Sequence, residues 1–257
     1  TKLIVVAKAD CYGHGALQTT SLLSLKEYVW GFAVATLDEA IVLRRGGVTK
    51  PILVLGCIFP EQWIDALENN IRITVYTEEL TKVLSDLAVK IGRKAYVHVK
   101  LDTGMGRIGF TPGKEGADKI EEISKLPNIV MEGLYTHFSK ADEGDKSYTM
   151  KQMEAYTWMK EELTGRGITF SYYHCCNSAG IIDLKGAGQN LSRAGISTYG
   201  MYPSEEVHKE NVDLKPALEL ISHVAFVKWV DEGKMISYGG TYVTKRRTKI
   251  ATIPVGY

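Results

Sequence analysis

The residues best suited to chemistry stand where apolar, strand-like runs end. Lys8 closes the run Leu3–Lys8, and Tyr12, Gly13 and Gly15 follow it. Lysine is rarely buried, so a lysine at the inner end of a buried strand either extends its amine to solvent or has a chemical role. The hydroxyl of Tyr12 and the exposed backbone of the two glycines form a surface that can accept a phosphate. The spacing alone leaves both interpretations of Lys8 open.

Ionisable side chains recur at the ends of later runs. His98, Lys100 and Asp102 alternate along one run, and they therefore share one face of the predicted strand. Burying three ionisable groups on one face is costly unless they pair with one another or with a ligand. Further candidate positions close the later runs: His137, His174, Asn177, Ser178, Arg193, Gly195 and Ile196.

Eight strand-like runs alternate with helical sequence along most of the chain. Strict alternation predicts a parallel sheet, and eight β/α units fit a closed (β/α)8 barrel of the TIM type, with its active site at the carboxyl ends of the strands. An open doubly wound sheet is the alternative. The predicted strands are Leu3–Lys8, Trp30–Ala35, Ile52–Leu55, Ile71–Val75, Ala95–Leu101, Ile129–Thr136, Ile168–His174 and Leu191–Tyr199.

The alternation of strands and helices stops after residue 204. The runs at 220–230, 235–237 and 249–253 follow one another without helical sequence, which predicts antiparallel strands. We therefore predict an α/β protein with a (β/α)8 barrel at residues 1–213. Residues 214–257 are predicted to begin a C-terminal all-β domain that the end of the chain truncates.

Local helix signals support this division. The sequence Thr36-Leu-Asp-Glu39 predicts a capping box, in which the threonine and glutamate side chains satisfy backbone N–H groups. Met153, Tyr156, Met159 and Leu163 recur at helical spacing. Such a stripe indicates core packing rather than a cofactor contact.

Composition and charge exclude several classes of function. The 257 residues carry a formal net charge of +1, which gives no electrostatic reason to expect nucleic acid or an anionic membrane as a partner. No apolar run is long enough to cross a bilayer. The four cysteines show no metal-ligand spacing, so we expect no metal and a reducing cytoplasm as the compartment.

The stretch Gly104–Gly109 spells G-x-G-x-x-G after a strand, with Glu132 where a ribose-binding acid could fall. In a dinucleotide site these glycines open a helix directly, whereas here the sequence Phe110–Gly113 intervenes. The preceding strand is also too polar for such a site. We therefore disfavour a dinucleotide-binding fold.

Two separated stretches resemble motifs of the alanine racemase family. K-A-D-C-Y-G-H-G, from Lys8 to Gly15, is similar to the signature around the cofactor lysine, and H-V-K-L-D-T-G-M-G-R-I-G, from His98 to Gly109, is similar to a second signature. Y-T-H-F, H-C-C-N-S and S-R-A-G-I resemble further family segments. The resemblance runs from Lys2 to Tyr257. The segment that usually precedes the lysine strand and most of the C-terminal β domain are missing from it.

The resemblance implies a pyridoxal-phosphate-dependent homodimer that interconverts L- and D-alanine and supplies D-alanine for peptidoglycan. Lys8 would bind the cofactor covalently and act as one base, and Tyr257 of the partner subunit would act as the other. The alternative for Tyr257 is an exposed terminal tyrosine. The implied cofactor contacts are Lys8, Tyr12, His137, His174, Asn177, Ser178, Arg193, Gly195 and Ile196.

Some of these residues also have plainer interpretations. His137 and His174 are each open to being hydrogen-bonded core histidines, and Ser178 to being a helix N-cap. The resemblance implies that Arg193 faces the pyridine nitrogen, with His174 holding the arginine in place. Since arginine stays protonated, the nitrogen would have to accept its hydrogen bond.

The resemblance also implies roles for two residues around the second motif. Arg107 would contact the phenolic oxygen of the cofactor and the substrate carboxylate. Lys100 resembles a lysine that is often carbamylated in the family, which would make it an anion able to orient a buried Arg107. Unmodified, the two cations would repel each other.

Three other functions compete with this interpretation. A serine-preferring or broad-specificity racemase is the nearest alternative. A non-enzymatic barrel that binds pyridoxal phosphate fits poorly with the C-terminal strands and Tyr257. A decarboxylase of the same fold would carry an acid at the pyridine nitrogen, and Arg193 argues against it.

Overall fold

The computed structural model describes residues 1–184, 187 and 190–256. Eight parallel strands form one sheet in the order β7-β6-β5-β4-β3-β2-β1-β8. The strands are β1 (Lys2–Val6), β2 (Val29–Val34), β3 (Ile52–Val54), β4 (Arg72–Val75), β5 (Ala95–Lys100), β6 (Ile129–Tyr135), β7 (Tyr172–His174) and β8 (Leu191–Ala194). The helices are α1 (Lys8–Gly13), α2 (Ala16–Ser24), α3 (Leu37–Arg45), α4 (Trp63–Glu68), α5 (Glu78–Lys90), α6 (Lys114–Ser124), α7 (Ser147–Gly165) and α8 (Ser178–Asp183).

The sheet curls into a nearly closed barrel. In an open doubly wound sheet the strand order reverses near the first strand, whereas here the order is sequential and β1 pairs with both β2 and β8. The gap between β7 and β8 is bridged by the N–H of Arg193, which donates to the carbonyl of Cys176 at 3.0 Å. The side chain of Asn190 also bonds the backbone of Ser171 and Tyr173 across this gap. The predicted barrel is confirmed.

All eight predicted strands differ from the observed bounds, three of them by more than one residue at one end. β7 begins at Tyr172 rather than at Ile168, and β8 ends at Ala194 because Ile196–Tyr199 forms a 3-10 helix. β1 ends at Val6, so Lys8 lies two residues beyond the strand, at the start of α1. Each difference lies at a strand end, where side-chain contacts from other elements outweigh local propensity.

The core has one layer outside the barrel wall and one inside it. Phe32, Leu43 and Leu84 are buried between strands and helices. Of the predicted stripe on α7, Tyr156, Met159 and Leu163 are fully buried in the same layer, so their assignment to the core is confirmed. Met153 is half-buried and packs against a separate apolar cluster that includes Phe138. Inside the barrel the apolar cluster consists of Ile4, Val6, Trp30, Ala33, Leu53 and Leu191.

The predicted capping box of α3 is present, and its glutamate also binds backbone groups outside the helix. The hydroxyl of Thr36 accepts the N–H of Glu39, whose carboxylate accepts the N–H of Thr36 in return. The same carboxylate also accepts the N–H groups of Ala35 and Ala9, each at 2.7 Å. One helix cap therefore also holds the segment that follows β1.

The chain divides into two compact units, Thr1–Ala217 and Leu218–Tyr257. The second unit is strand-rich, as predicted. In it β9 (Phe226–Val230) pairs antiparallel with β12 (Thr248–Thr252), and β10 (Met235–Ile236) pairs antiparallel with β11 (Tyr242–Val243). Among the described residues, no helix is both long enough and apolar enough to span a membrane.

Candidate active site

Lys8 opens a segment with an unusual backbone. The four residues after it, Ala9 to Tyr12, all have φ between 51° and 56°, which makes one left-handed helical turn. Such a conformation costs about 1–2 kcal/mol for each L-residue, so other contacts must hold it. They include the carboxylate of Asp10, which accepts the N–H of Ala16 at 2.6 Å, and that of Glu39. The turn brings the amine of Lys8 to 5.9 Å from the ring centre of Tyr12.

A cavity of about 300 Å³ lies above the carboxyl ends of the strands. Eight of the predicted site residues line it: Lys8, Tyr12, His137, Asn177, Ser178, Arg193, Gly195 and Ile196. His174, Lys100 and Arg107 are not among the lining residues. Tyr257 lies outside the described residues. The structure thus brings together most of a set that is spread over nearly 190 positions of the sequence.

Hydroxyl and backbone N–H groups gather on one wall of this cavity and can bind an anion. Three donors converge on the hydroxyl oxygen of Ser178: the N–H of Gly195 at 3.0 Å, the N–H of Ser197 at 3.3 Å and the hydroxyl of Ser197 at 3.0 Å. A Cβ at position 195 would lie 3.3 Å from the hydroxyl of Tyr12 and 3.4 Å from that of Ser178, so a side chain there would fill the cradle. This arrangement of hydroxyls and backbone N–H groups fits a phosphate.

The helix cap beside this cradle is Asn177 rather than Ser178. The side chain of Asn177 accepts the N–H of Gly180 at 3.0 Å, so the interpretation of Ser178 as an N-cap was wrong. Ser178 is free to turn its hydroxyl toward Gly195. Ser197 was not predicted as a site residue, because residues 191–199 were expected to form a strand, whereas Ser197 belongs to the 3-10 helix Ile196–Tyr199.

Arg193 is buried beside the cradle, with 2% of its surface exposed. Its guanidinium donates to Nδ1 of His174 at 2.7 Å and to the carbonyls of Thr136, His174 and Cys175 at 2.7–3.0 Å. All of these acceptors are neutral. The guanidinium is therefore held rigidly, and its charge is balanced by no carboxylate in direct contact within the described part of the chain.

The two site histidines differ in their surroundings. His174 is fully buried and bonded to Arg193, so it is both a hydrogen-bonded core histidine and a support for that arginine. His137 lies in the cavity wall, with Nδ1 3.4 Å from Nη2 of Arg193. Burial, and then the positive charges of Arg193 and Arg107, lower the pKa of His137 to about 3. Both imidazoles are neutral near pH 7.

The three ionisable groups on the β5 face do not pair with one another. Lys100 is 2% exposed, and its amine donates to the carbonyls of Leu101 at 2.6 Å and Ile108 at 3.4 Å. Burial, and then the charge of Arg193, lower the pKa of Lys100 to about 7. Lys100 therefore has a substantial neutral fraction at neutral pH. His98 instead contacts His174, with 2.9 Å between ring nitrogens.

Asp102 organises the loop that carries Arg107. Its carboxylate accepts four consecutive backbone N–H groups, from Gly104 to Arg107, at 2.9–3.1 Å. Burial alone would raise the pKa of Asp102, but the N–H groups of Gly106 and Gly104 hold it below its usual value. The next helix, α6, begins at Lys114, so the glycines of this loop do not open a helix as a dinucleotide site requires.

Arg107 is exposed, contrary to the expectation of a buried guanidinium. The cause is the loop itself: Gly104, Gly106 and Gly109 all have positive φ and let the backbone fold around Asp102. Arg107 therefore leaves the loop on its solvent side.

Family comparisons agree with this geometry. The profile described as "Alanine racemase, N-terminal domain" matches residues 1–203, and the one described as "Alanine racemase, C-terminal domain" matches residues 217–257. The chain belongs to the alanine racemase family. The resemblance inferred from the two sequence motifs is thus confirmed.

Individual alanine racemases are similar over the whole chain. Those of Clostridium tetani and Clostridium perfringens are 48% and 49% identical over 257 residues, which are 100% of this chain and 66% of each relative. A solved structure of the alanine racemase of Clostridium difficile 630 superposes with a TM-score of 0.92 at 44% identity, covering 100% of this chain and 67% of that one. The chain thus spans about two thirds of the length of the curated relatives it matches.

Proposed function

We propose that the protein is an alanine racemase that uses pyridoxal phosphate. The observation that carries this proposal is one cavity in which the amine of Lys8, the anion cradle at Ser178 and the buried guanidinium of Arg193 meet. Membership of the alanine racemase family and the names of the relatives support the choice of substrate. A serine-preferring or broad-specificity racemase is the alternative.

The residues present fit the cofactor. Tyr12, Ser178, Gly195, Ile196 and Ser197 would hold its phosphate, since their hydroxyls and backbone N–H groups form the cradle. Lys8 would bind it covalently, and Asn177 would support the cradle through its helix cap. Bound pyridoxal phosphate withdraws electrons from the substrate Cα and so makes its proton more acidic.

Arg193 would face the ring nitrogen of the cofactor. A guanidinium can only donate, so that nitrogen would remain unprotonated, which limits electron withdrawal and disfavours side reactions. His174 and three backbone carbonyls hold Arg193 for this role. His137, neutral and 3.4 Å from Arg193, would line the same side of the site.

Proton transfer is assigned to two residues on opposite faces of the substrate Cα. Lys8 would serve one face, because its amine opens into the cavity. Tyr257 of the partner subunit would serve the other, which makes the active form a homodimer. A positioned acid or base accelerates proton transfer by roughly 10²–10⁴-fold. With one such group on each face, the proton does not have to be carried around the substrate.

Two further roles concern the substrate side of the site. Arg107, on the solvent side of its loop, would bind the substrate carboxylate. Lys100 would be carbamylated, and its lowered pKa supports this because carbon dioxide reacts with the neutral amine. In the cell we place the reaction in the cytoplasm, where D-alanine would enter peptidoglycan synthesis.

The function is tested by labelling and chiral analysis together. Borohydride reduction of the cofactor-loaded protein, followed by peptide mapping, is expected to place a pyridoxyl group on Lys8. Chiral chromatography of products from L-alanine and L-serine is expected to show D-alanine forming faster than D-serine. Lys8→Ala should lose both label and activity, and the exposed Lys26→Ala serves as the matched control. A label on Lys100, or no D-amino acid from either substrate, contradicts the proposal.

A further inference from the structure

A row of buried polar side chains crosses the interior of the barrel, starting at Arg193. Nη1 of Arg193 lies 2.7 Å from Nδ1 of His174, and Nε2 of His174 lies 2.9 Å from Nδ1 of His98. Nε2 of His98 lies 3.4 Å from Oε2 of Glu132, which accepts a hydrogen bond from Nε of Arg72 at 3.0 Å. We call this row of five side chains the buried relay.

The contact with Arg193 indicates where each proton of the relay lies in the structure. A guanidinium only donates, so Nδ1 of His174 must accept and the His174 proton must lie on Nε2. That proton points at Nδ1 of His98, so His98 carries its own proton on Nε2, facing Glu132. Burial lowers the pKa of both imidazoles, and the charge of Arg193 lowers that of His174 further, so each keeps a single proton.

The far end of the relay favours the same arrangement. Nε2 of His98 is buried and meets no acceptor with full hydrogen-bond geometry among the described residues, while the carboxylate of Glu132 stands 3.4 Å away. A lone pair on Nε2 would face a carboxylate oxygen and be repelled, whereas an N–H there is attracted. Burial alone would raise the pKa of Glu132, but His98 and Arg72 lower it, so the carboxylate is ionised.

The backbone of β6 is shaped around these groups. Val97 pairs with Met131 and His98 with Gly133, so Glu132 is an extra residue with no partner on β5. Bulges of this kind redirect a side chain and are uncommon between parallel strands. A Cβ at Gly133 would lie 2.4 Å from Nδ1 of His98, so glycine makes room for the imidazole. The bulge and the glycine together bring Glu132 and His98 into line.

We propose that Glu132 is a positioning residue for Arg193, acting through His98 and His174. Its carboxylate anchors the relay and holds His174 in the tautomer that accepts from the guanidinium. Without that anchor, His174 can take the tautomer with its proton on Nδ1, which sets an N–H against the N–H groups of Arg193. The arginine then loses its acceptor on His174, and of its close contacts only the three backbone carbonyls still orient it. This proposal rests on the proposed function in one respect only, namely that the group faced by Arg193 would be the ring nitrogen of the cofactor.

Charge supports the same role. The direct acceptors of Arg193 are all neutral, and a buried cation is stabilised by an anion that reaches it through polarised hydrogen bonds. Glu132 is linked to Arg193 in this way through two imidazoles. Arg72 keeps the carboxylate from rotating away, with side-chain exposures of only 12% for Arg72 and 14% for Glu132.

The tautomers are read directly by ¹⁵N NMR of the full chain labelled at its six histidines, without any turnover of cofactor. Resonances are assigned by replacing His98 and His174 with glutamine in turn. In the wild type both imidazoles are expected to be neutral with the proton on Nε2. Glu132→Gln, whose amide oxygen still accepts, should keep both tautomers. Glu132→Leu should give His174 a mixture of tautomers.

A second readout uses the loaded enzyme. Glu132→Leu is expected to raise the ratio of transamination to racemisation by about tenfold, which corresponds to the loss of one hydrogen bond to a charged group. Glu132→Gln should change this ratio by no more than about twofold. Ser85→Ala is the matched control, because it removes a partly buried hydrogen bond to the carbonyl of Pro127 outside the relay. It should change stability but neither the tautomers nor the product ratio.

The proposal is overturned if His174 of the wild type carries its proton on Nδ1 or is cationic. It is equally overturned if Glu132→Leu folds and leaves the signals of both imidazoles unchanged. Should Glu132→Leu fail to fold, the wild-type tautomers and the Glu132→Gln spectrum decide the question. Failure of the proposed function would show separately, as a wild type that forms no D-amino acid.

Discussion

Four basic side chains influence the electrostatics of the candidate site. The imidazole of His137 is influenced by the charges of Arg193, Arg107, Lys100 and Lys8 together. Such a set attracts anions, which suits a cofactor phosphate and a substrate carboxylate. Burial first, and the neighbouring positive charges second, lower the pKa of His137 and of Lys100, so the neutral forms of both are favoured. The site is thus prepared for anionic ligands before any of them binds.

The lowered pKa of Lys100 predicts a pH dependence of stability. Below about pH 7 the amine is charged in both folded and unfolded chains, so the full cost of burying the charge is present. Between about pH 7 and 10.5 the unfolded chain binds the extra proton, so the free energy of unfolding rises with pH. Relative to Lys100→Met, the wild type should gain about 2 kcal/mol between pH 7 and 9.

This difference is measured by urea unfolding in buffers free of carbon dioxide, which keep Lys100 unmodified. Methionine has a similar shape and no charge, so the comparison isolates the titration of the amine. Lys114→Met, at an exposed position, is the control and should follow the wild type at every pH. Parallel curves for the wild type and Lys100→Met would show that Lys100 is not perturbed.

At the scale of elements, the sequence predicted the strands well because their signal is local. Val, Ile and Leu in runs such as Ile52–Val54 are buried on both faces, which continuous apolar sequence reports directly. The 3-10 helix at Ile196–Tyr199 was missed because its residues suit a strand locally. It is held by contacts distant in sequence, including the hydroxyl of Tyr199 on the carbonyl of Val6 at 2.8 Å.

Two parts of the site lay beyond what the sequence could show. The left-handed turn contains alanine, cysteine and tyrosine, which disfavour positive φ, and Glu39, 30 residues away, helps to hold it. The bulge at Glu132 likewise depends on pairing with β5. The motif residues were predictable because they lie in the last residues of a strand or in the loop that follows it, whereas the supporting contacts depend on the closed barrel.

The left-handed turn makes Ala9→Gly unusual among alanine-to-glycine changes. Glycine adopts φ of 51° without the steric cost of about 1–2 kcal/mol that alanine bears, which offsets its entropy cost of about 0.5–1 kcal/mol. Ala9→Gly should therefore leave the free energy of unfolding unchanged or raise it by up to about 1 kcal/mol. Thermal and urea unfolding measure this change.

The matched control is Ala155→Gly, in the interior of α7, which should lower the free energy of unfolding by about 1 kcal/mol. The contrast between the two variants is the informative quantity, because both make the same chemical change. Equal losses at the two positions would mean that Ala9 does not adopt the left-handed conformation in solution.

At the scale of the molecule, the cavity and its support belong to the first unit. All residues that line the cavity fall between Val6 and Pro203, and the buried relay lies within the same unit. The first unit would therefore supply the proposed cofactor contacts and one proposed base. The division into a barrel domain at 1–213 and the beginning of a C-terminal β domain at 214–257 stays a prediction. In the proposed mechanism the second base, Tyr257, comes from the partner subunit.

A shared active site predicts complementation between two inactive variants. Lys8→Ala lacks one base and Tyr257→Phe lacks the other, so each homodimer should be inactive in racemisation. When equal amounts exchange subunits at random, half of the dimers are mixed and each contains one intact site, so about a quarter of the wild-type activity should return. Activity is followed by chiral chromatography, and subunit exchange by native mass spectrometry of differently tagged chains. Adding Lys8→Ala to a Lys8→Ala, Tyr257→Phe double variant is the control, because no intact site can form. Exchange without any return of activity would show that Lys8 and Tyr257 do not act across a subunit interface.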